Sequence, residues 1–259
     1  MGDYRYFMIA AYNGTDFVGW QVQPKGRTVQ GTLELALSTI LRERVGVVGA
    51  GRTDSGVHAR AMVAHIRLSH PIECDLNTLL HRLNSFLPWD IVVRKIVEMP
   101  SGAHARFDAI SRTYRYYIGM KRDPFRHSTE TYIPYALNFE AMNAAAMTLV
   151  GTRDFTTFSK AHTDVRTHIC SVNRAGWFEL GDDRYCFEIT ADRFLRNMVR
   201  SIVGQLLLVG RGKMSEERFG EILRLKDRQL ATITAQAEGL YLEEVRYREE
   251  LDEILKEVK

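Results

Sequence analysis

Long apolar runs are missing from this 259-residue chain. The most apolar uncharged stretch, Ser201 to Gly210, has ten residues between Arg200 and Arg211, about half of what a bilayer span needs. The opening MGDYRYF has no apolar segment running into small residues, so no secretion signal is expected. Tyr6 stands where N-myristoylation needs Ser or Thr. Cysteine is scarce: Cys74, Cys170 and Cys186 are odd in number and form no CxxC pair. That argues against a disulfide framework and for a reducing compartment. Six prolines and 19 glycines exclude collagen-like and Pro-rich classes. A cytoplasmic location and no membrane partner are therefore expected. What is present is an ordinary globular composition, 45% hydrophobic and 26% charged. A chain this long can bury a core without metals or staples, in one large domain or two smaller ones.

The net charge of +3 says little, but its distribution says more. Residues 238–259 hold eight acids and four bases, a balance of −4, so the other 237 residues carry +7. Of 35 basic residues, 27 are Arg and 8 are Lys. The planar guanidinium matches phosphate and stacks on bases, so the excess leans toward nucleic acid, against a mildly basic enzyme surface as the plain alternative.

Hydrophobic patterning places strands at residues 4–12, 45–50, 62–68 and 90–99, with helices starting after Thr28 and over 76–87. A second set follows: strands at 112–120, 169–180, 185–191 and 240–247, with helices over 139–150 and 194–209. Additional helices are expected over 216–224 and 249–259. The order β-α-β-β-α-β occurs twice, so the expected fold is α+β: two ferredoxin-like units packed side by side with a central cleft. The corresponding boundaries are 1–105, 106–248 and a charged terminal helix at 249–259. On the wheel of the 194–209 helix, Arg196 and Arg200 lie side by side at the border of the apolar face.

The informative segment is Gly49-Ala-Gly-Arg-Thr-Asp-Ser-Gly-Val-His58. Its glycines permit tight turns and close approach of a ligand, and an ordinary turn explains much of it. Sharper motifs fail. There is no Gly-Lys-Ser/Thr for a P-loop, Asp54 replaces a glycine of the dinucleotide pattern, and Thr53 breaks a nucleophile elbow around Ser55. Asp54-Ser55-Gly56 matches an aspartic peptidase triplet, but that chemistry needs a second carboxylate, and no second copy is present. His162, His168, Cys170 and Cys186 match no zinc spacing, so no metal site is expected. His58 is expected to order the loop rather than take part.

GRTDSGVHA resembles the catalytic loop of the TruA family of tRNA pseudouridine synthases. The likeness extends to Tyr12-Asn-Gly-Thr-Asp-Phe-Val-Gly-Trp-Gln21, Thr28-Val-Gln30, His104-Ala-Arg-Phe-Asp108 and Arg112-Thr-Tyr-Arg-Tyr116. It continues through Asp154, Phe155, Phe158, Phe194-Leu-Arg-Asn-Met-Val-Arg200, Ile202-Val-Gly204 and Glu238-Gly-Leu-Tyr-Leu242, in the family's order. Arg153 stands where the family commonly has His, and Asp16 where it has a smaller polar residue.

The resemblance implies isomerisation of uridine to pseudouridine in the tRNA anticodon arm, at positions 38, 39 and 40. The reaction involves no redox change, so no cofactor is expected. Asp54 would be the nucleophile, attacking C1′ of the sugar or C6 of the base, or it would assist a glycal route. Arg200 would be the cation that keeps it ionised. Arg52 would fill the space of the flipped base, and Tyr114 would stack on the uracil. Tyr114 and Tyr116 alternate onto one strand face, with Arg115 on the other. Eight bases against three acids between Arg94 and Arg126, among them Arg106, Arg112 and Arg115, mark the expected tRNA surface. The family likeness also implies a homodimer. Two other classes remain in play. One is a non-catalytic RNA-binding module, although Arg115-Tyr-Tyr-Ile-Gly does not fit RNP1. The other is an acid peptidase completed by a dimer.

Overall fold

A computed structural model describes residues 2–160 and 166–256. They separate into two compact units. Residues 2–110 with 242–256 form the first, and the described part of 111–241 forms the second. The acidic terminal segment thus groups with the N-terminal unit rather than with the residues that precede it.

The first unit contains β1 (Tyr4–Tyr12), α1 (Val29–Leu41), β2 (Val47–Gly49), β3 (His58–Leu68), α2 (Leu76–Phe86) and β4 (Ile91–Met99). β1 lies between β3 and β4 with antiparallel pairing on both sides, and β2 pairs antiparallel with β3. The order β4-β1-β3-β2 is the ferredoxin-like arrangement expected from the sequence. Thr28 caps α1, its side chain accepting from the Gly31 N–H. The helix buries Val29, Leu33, Ala36 and Leu37, spaced by three or four residues on one face. Leu33 is fully buried, so truncating it to Ala would cost about 2–5 kcal/mol. The helix stops where Arg42 adopts a left-handed conformation, φ 56°. β1 carries register shifts between Ile9 and Ala10 against β4, and between Ala10 and Tyr12 against β3. Such bulges re-aim side chains, and here they set the direction of Tyr12 at the end of the strand.

The second unit contains β5 (Ala109–Gly119, from Ser111 onward), β6 (Thr131–Tyr132), α3 (Phe139–Met147), β7 (Gly151–Asp154), β8 (Ile169–Gly181), β9 (Arg184–Ala191), α4 (Met198–Gly210) and α5 (Glu216–Leu225). The order is β5-β9-β8-β7, with β6 alongside β5. α4 is buried almost all round, as its Ser201–Gly210 apolar run requires. β10 (Leu240–Tyr247) divides between the units after Tyr241, and α6 (Glu249–Lys256) follows it. The class is α+β, as expected. No helix among the described residues is long and apolar enough to cross a membrane.

One expectation fails. The helix expected from Phe194 begins only at Met198, because Asn197 takes φ 65°, which a right-handed helix cannot pass through. Arg196 stays outside the helix, its carbonyl accepting from the Lys160 N–H. It therefore does not sit one helical turn before Arg200.

Candidate active site

Arg52 and Asp54 lie in the loop from β2 to β3. Thr53 between them is buried, Arg52 is exposed and Asp54 is half-buried. The Tyr12 hydroxyl hydrogen-bonds Thr53 Oγ1 at 2.8 Å, and the Trp20 N–H donates to the Thr53 carbonyl at 3.1 Å. The Val57 N–H returns to the Asp54 carbonyl at 3.2 Å, closing a turn in which Gly56 takes φ +77°. Ser55 Oγ and the Gly56 N–H both donate to the Phe17 carbonyl, each at 3.2 Å. The Gly14 N–H donates to His58 Nδ1 at 3.0 Å, so this ring nitrogen is the unprotonated one and His58 anchors the end of the loop, as expected.

Residues 12–20 thus form a cradle for residues 53–58. Gly19, at φ +105°, brings its backbone so close that a Cβ would lie 2.7 Å from the Thr53 carbonyl oxygen. The cradle is itself braced. Arg27 forks onto Asp90 through Nη1–Oδ2 at 2.8 Å and Nη2–Oδ1 at 2.7 Å, and its guanidinium lies 4.2 Å from the centre of the Phe17 ring. A carboxylate on a loop fixed at its neighbours can act as nucleophile or base without first paying the entropy of ordering itself.

Tyr114, Arg112, Arg115 and Arg200 belong to the second unit. Tyr114 is buried on β5 and meets the edge of Phe194 at 5.0 Å and 81°. Tyr116 is buried on the same face, its hydroxyl hydrogen-bonded to Thr131 Oγ1 at 2.7 Å and donating to the Gln236 carbonyl at 2.9 Å. Burial pushes its phenol well above the usual range. Arg115 faces the other way, as the alternation requires. Opposite it in the ladder, Glu188 accepts from its Nε and Nη2, both at 2.8 Å, and also pairs with Arg174 at 3.0 Å. Arg112 Nη1 donates to the Asp192 carbonyl at 2.7 Å.

Arg200, in the first turn of α4, donates from Nε to the Ala235 carbonyl at 2.8 Å, and the Ala235 N–H donates back to the Arg200 carbonyl at 3.0 Å. Gln205 Nε2 donates to the Ile233 carbonyl at 3.0 Å. Gly204 lets the 233–235 backbone approach the helix, because any Cβ there would strike it. Arg200 is therefore held in place by the segment that crosses α4.

The expected tRNA surface is divided. Arg94, Lys95 and Arg106 lie in the first unit, the other five bases in the second. Lys95 donates to the Leu255 carbonyl, Lys121 pairs with Asp183 and Arg126 with Asp123. Among the described residues, no group of three His, Cys, Asp or Glu side chains is placed to hold a metal. His162 lies outside those residues.

Sequence reasoning missed Phe17, Trp20, Arg27 and Asp90 as parts of the site. The Tyr12–Gln21 likeness to the family flagged the segment, but nothing in one sequence says that it embraces a loop some 40 residues later.

The fold is α+β, and in its first unit a half-buried carboxylate sits on a loop whose neighbouring residues are hydrogen-bonded to residues 12–20. The profile described as tRNA pseudouridine synthase matches residues 8–108 and 145–248. The chain is 51% identical to tRNA pseudouridine synthase A of Parabacteroides distasonis over 247 residues, covering 95% of this chain and 97% of that one. It is 51% identical to the Porphyromonas gingivalis protein of the same name (95% and 98% covered) and 48% identical to that of Bacteroides thetaiotaomicron (95% and 92%). The chain belongs to the tRNA pseudouridine synthase family, whose members are isomerases. Family membership sets aside the RNA-binding-module and acid-peptidase readings.

Proposed function

We propose that the chain isomerises uridine to pseudouridine at positions 38, 39 and 40 of the tRNA anticodon stem-loop, without a cofactor and through Asp54. The observation that carries this reading is the cradle. Thr53, Ser55 and Gly56 are each tied to residues 12–20, which leaves the Asp54 carboxylate at a fixed, half-exposed point. In the reaction the N1–C1′ bond breaks, C5 bonds to C1′, the C5 proton leaves to water and N1 regains a proton. Asp54 serves as the nucleophile, at C1′ or at C6, or it assists a glycal route. The resemblance assigns Arg52 to the space of the flipped base, Tyr114 to the face of the uracil and Arg200 to the charge that keeps a carboxylate ionised. Arg106 and Arg112 join these as tRNA contacts. Arg115 joins them from the sheet face opposite Tyr114, where its guanidinium also pairs with Glu188.

A tRNA partner implies a cytoplasmic enzyme, and the family likeness implies a homodimer. Light scattering tests the latter, a monomeric mass refuting it. The test of function uses unmodified tRNA tritiated at uracil C5, with no metal or cofactor added. Tritium release that disappears in Asp54→Ala supports the assignment. Release that persists in this variant removes Asp54 from the mechanism, and no release from any tRNA by the native chain refutes the function.

A further inference from the structure

The turn His104–Asp108 is built to an unusual degree for an exposed corner. The Asp108 carboxylate accepts from the His104 N–H at 2.7 Å, and the Asp108 N–H donates to the His104 carbonyl at 3.1 Å. His104 Nδ1 accepts from the N–H groups of Arg106 and Phe107, at 3.1 and 3.2 Å. From below, Tyr247 donates its hydroxyl to the Ala105 carbonyl at 2.6 Å, and His65 Nδ1 accepts from the Ala105 N–H at 3.1 Å.

These bonds align four rings into a column running from the core to the surface. Phe7 stacks on His65 with centroids 5.9 Å apart, His65 meets His104 edge-on at 4.6 Å, and His104 stacks on Phe107 at 4.2 Å and 30°. Phe7 is fully buried, whereas Phe107 is 75% exposed. The guanidinium of Arg106 stands 5.8 Å from the Phe107 centroid. Burial and the nearby Arg5 lower the pKa of both histidines, that of His65 to about 4, so the column stays uncharged beneath the arginine. A large aromatic ring left open to water, backed by a second ring and flanked by a cation, has the form of a stacking platform for a nucleobase beside its phosphate.

We propose that Phe107 is such a platform, on which an unpaired base of the tRNA stacks while Arg106 meets the adjacent phosphate. The inference rests on the tRNA reading given above and extends it to a contact separate from the Asp54 loop. The rings are ordered before RNA arrives, so stacking requires little further loss of side-chain freedom. It also differs from a phosphate contact in its response to salt.

The test measures binding of unmodified tRNA to the full chain at several salt concentrations. Phe107→Ala and Phe107→Leu are expected to weaken binding about tenfold, while Phe107→Trp retains it. Arg106→Ala is expected to lower the slope of log affinity against log salt by about one, a slope that Phe107→Ala leaves unchanged. In a Trp89→Phe background, the indole of Phe107→Trp is expected to lose fluorescence on adding tRNA. Native affinity in Phe107→Ala, full restoration by leucine, or an unquenched indole overturns the platform. A change of oligomeric mass in Phe107→Ala with unaltered RNA affinity also overturns it, assigning the ring to an interface between copies. Failure of the native chain to bind any tRNA overturns the functional reading itself, a result separable from a native chain that binds and a variant that binds equally well.

Discussion

Replacing Gly19 by alanine should damage the enzyme twice, and the two effects can be measured apart. The residue sits at φ +105°, where a side chain costs about 1–3 kcal/mol in backbone strain. Its new Cβ would also lie 2.7 Å from the Thr53 carbonyl oxygen, where ordinary contact begins at 3.4 Å, so the two must part by about 0.7 Å. Overpacking of this kind costs a further 1–3 kcal/mol or so. At about 2–4 °C per kcal/mol, the combined loss is a fall in melting temperature of roughly 4–24 °C. Gly102 provides the control. Its φ is +87°, but nothing lies within 4 Å of its missing Cβ, so Gly102→Ala isolates the strain alone. The larger difference should appear in turnover. Thr53 precedes Asp54 directly, and a shift approaching 1 Å in a reacting group can cost about 100-fold. Gly19→Ala should therefore lose roughly 10- to 100-fold in single-turnover tritium release at temperatures where it remains folded. Gly102→Ala should react at the native rate. Equal turnover in the two variants would refute the claim that the 12–20 cradle sets the position of Asp54.

Other expectations follow from the same geometry. His65 is held at a pKa of about 4 in the folded chain, mainly by burial, against about 6.5 when unfolded, so the unfolded state binds its proton first as pH falls. Its contribution, up to about 3 kcal/mol, is fully present above pH 6.5 and is lost on descending to about 4; denaturant midpoints across that range should fall less steeply in His65→Asn. Glu188→Ala leaves Arg115 and Arg174 without their shared carboxylate and should destabilise the second unit by about 1–3 kcal/mol, discounted for the water around both arginines. Calorimetry that finds no change would show the pairs to be superficial. Affinity for tRNA should fall steeply between low and physiological salt, and a flat response would remove the arginine contacts from the reading.

What was legible in the sequence was local or periodic. Thr28 followed by apolar residues at helical spacing announced α1 and its cap, and the alternation in 4–12 announced β1. β7 was missed because Gly-Thr-Arg-Asp has no apolar alternation, and its residues are largely exposed. The start of α4 was misplaced because the apolar pattern continues back to Phe194, and pattern alone does not reveal a left-handed Asn197. At the site, Asp54 and Arg52 were visible as a motif. Their supports were not, because Tyr12, Phe17 and Trp20 act across 33 or more residues, Tyr12 through its hydroxyl and the other two through backbone groups that any sequence possesses. Arg115 could be placed on the correct strand face by period two, but its partner Glu188, 73 residues on, required the β5–β9 register.

The return of residues 242–256 to the first unit bears on how the chain is made. Lys95 is tied to Leu255 across 160 positions, Ala105 to Tyr247 across 142 and Arg60 to Glu243 across 183. On a ribosome adding about 5–20 residues per second, the N-terminal unit must wait on the order of 10 s for its last strand. Throughout that interval the flank of β3 that β10 will occupy has unpaired backbone, the kind of edge that recruits other chains. Closure over such separations is also slow for topological reasons. The nascent chain therefore passes through a state that carries its entire Asp54 loop, yet needs shielding from its neighbours until synthesis has nearly ended.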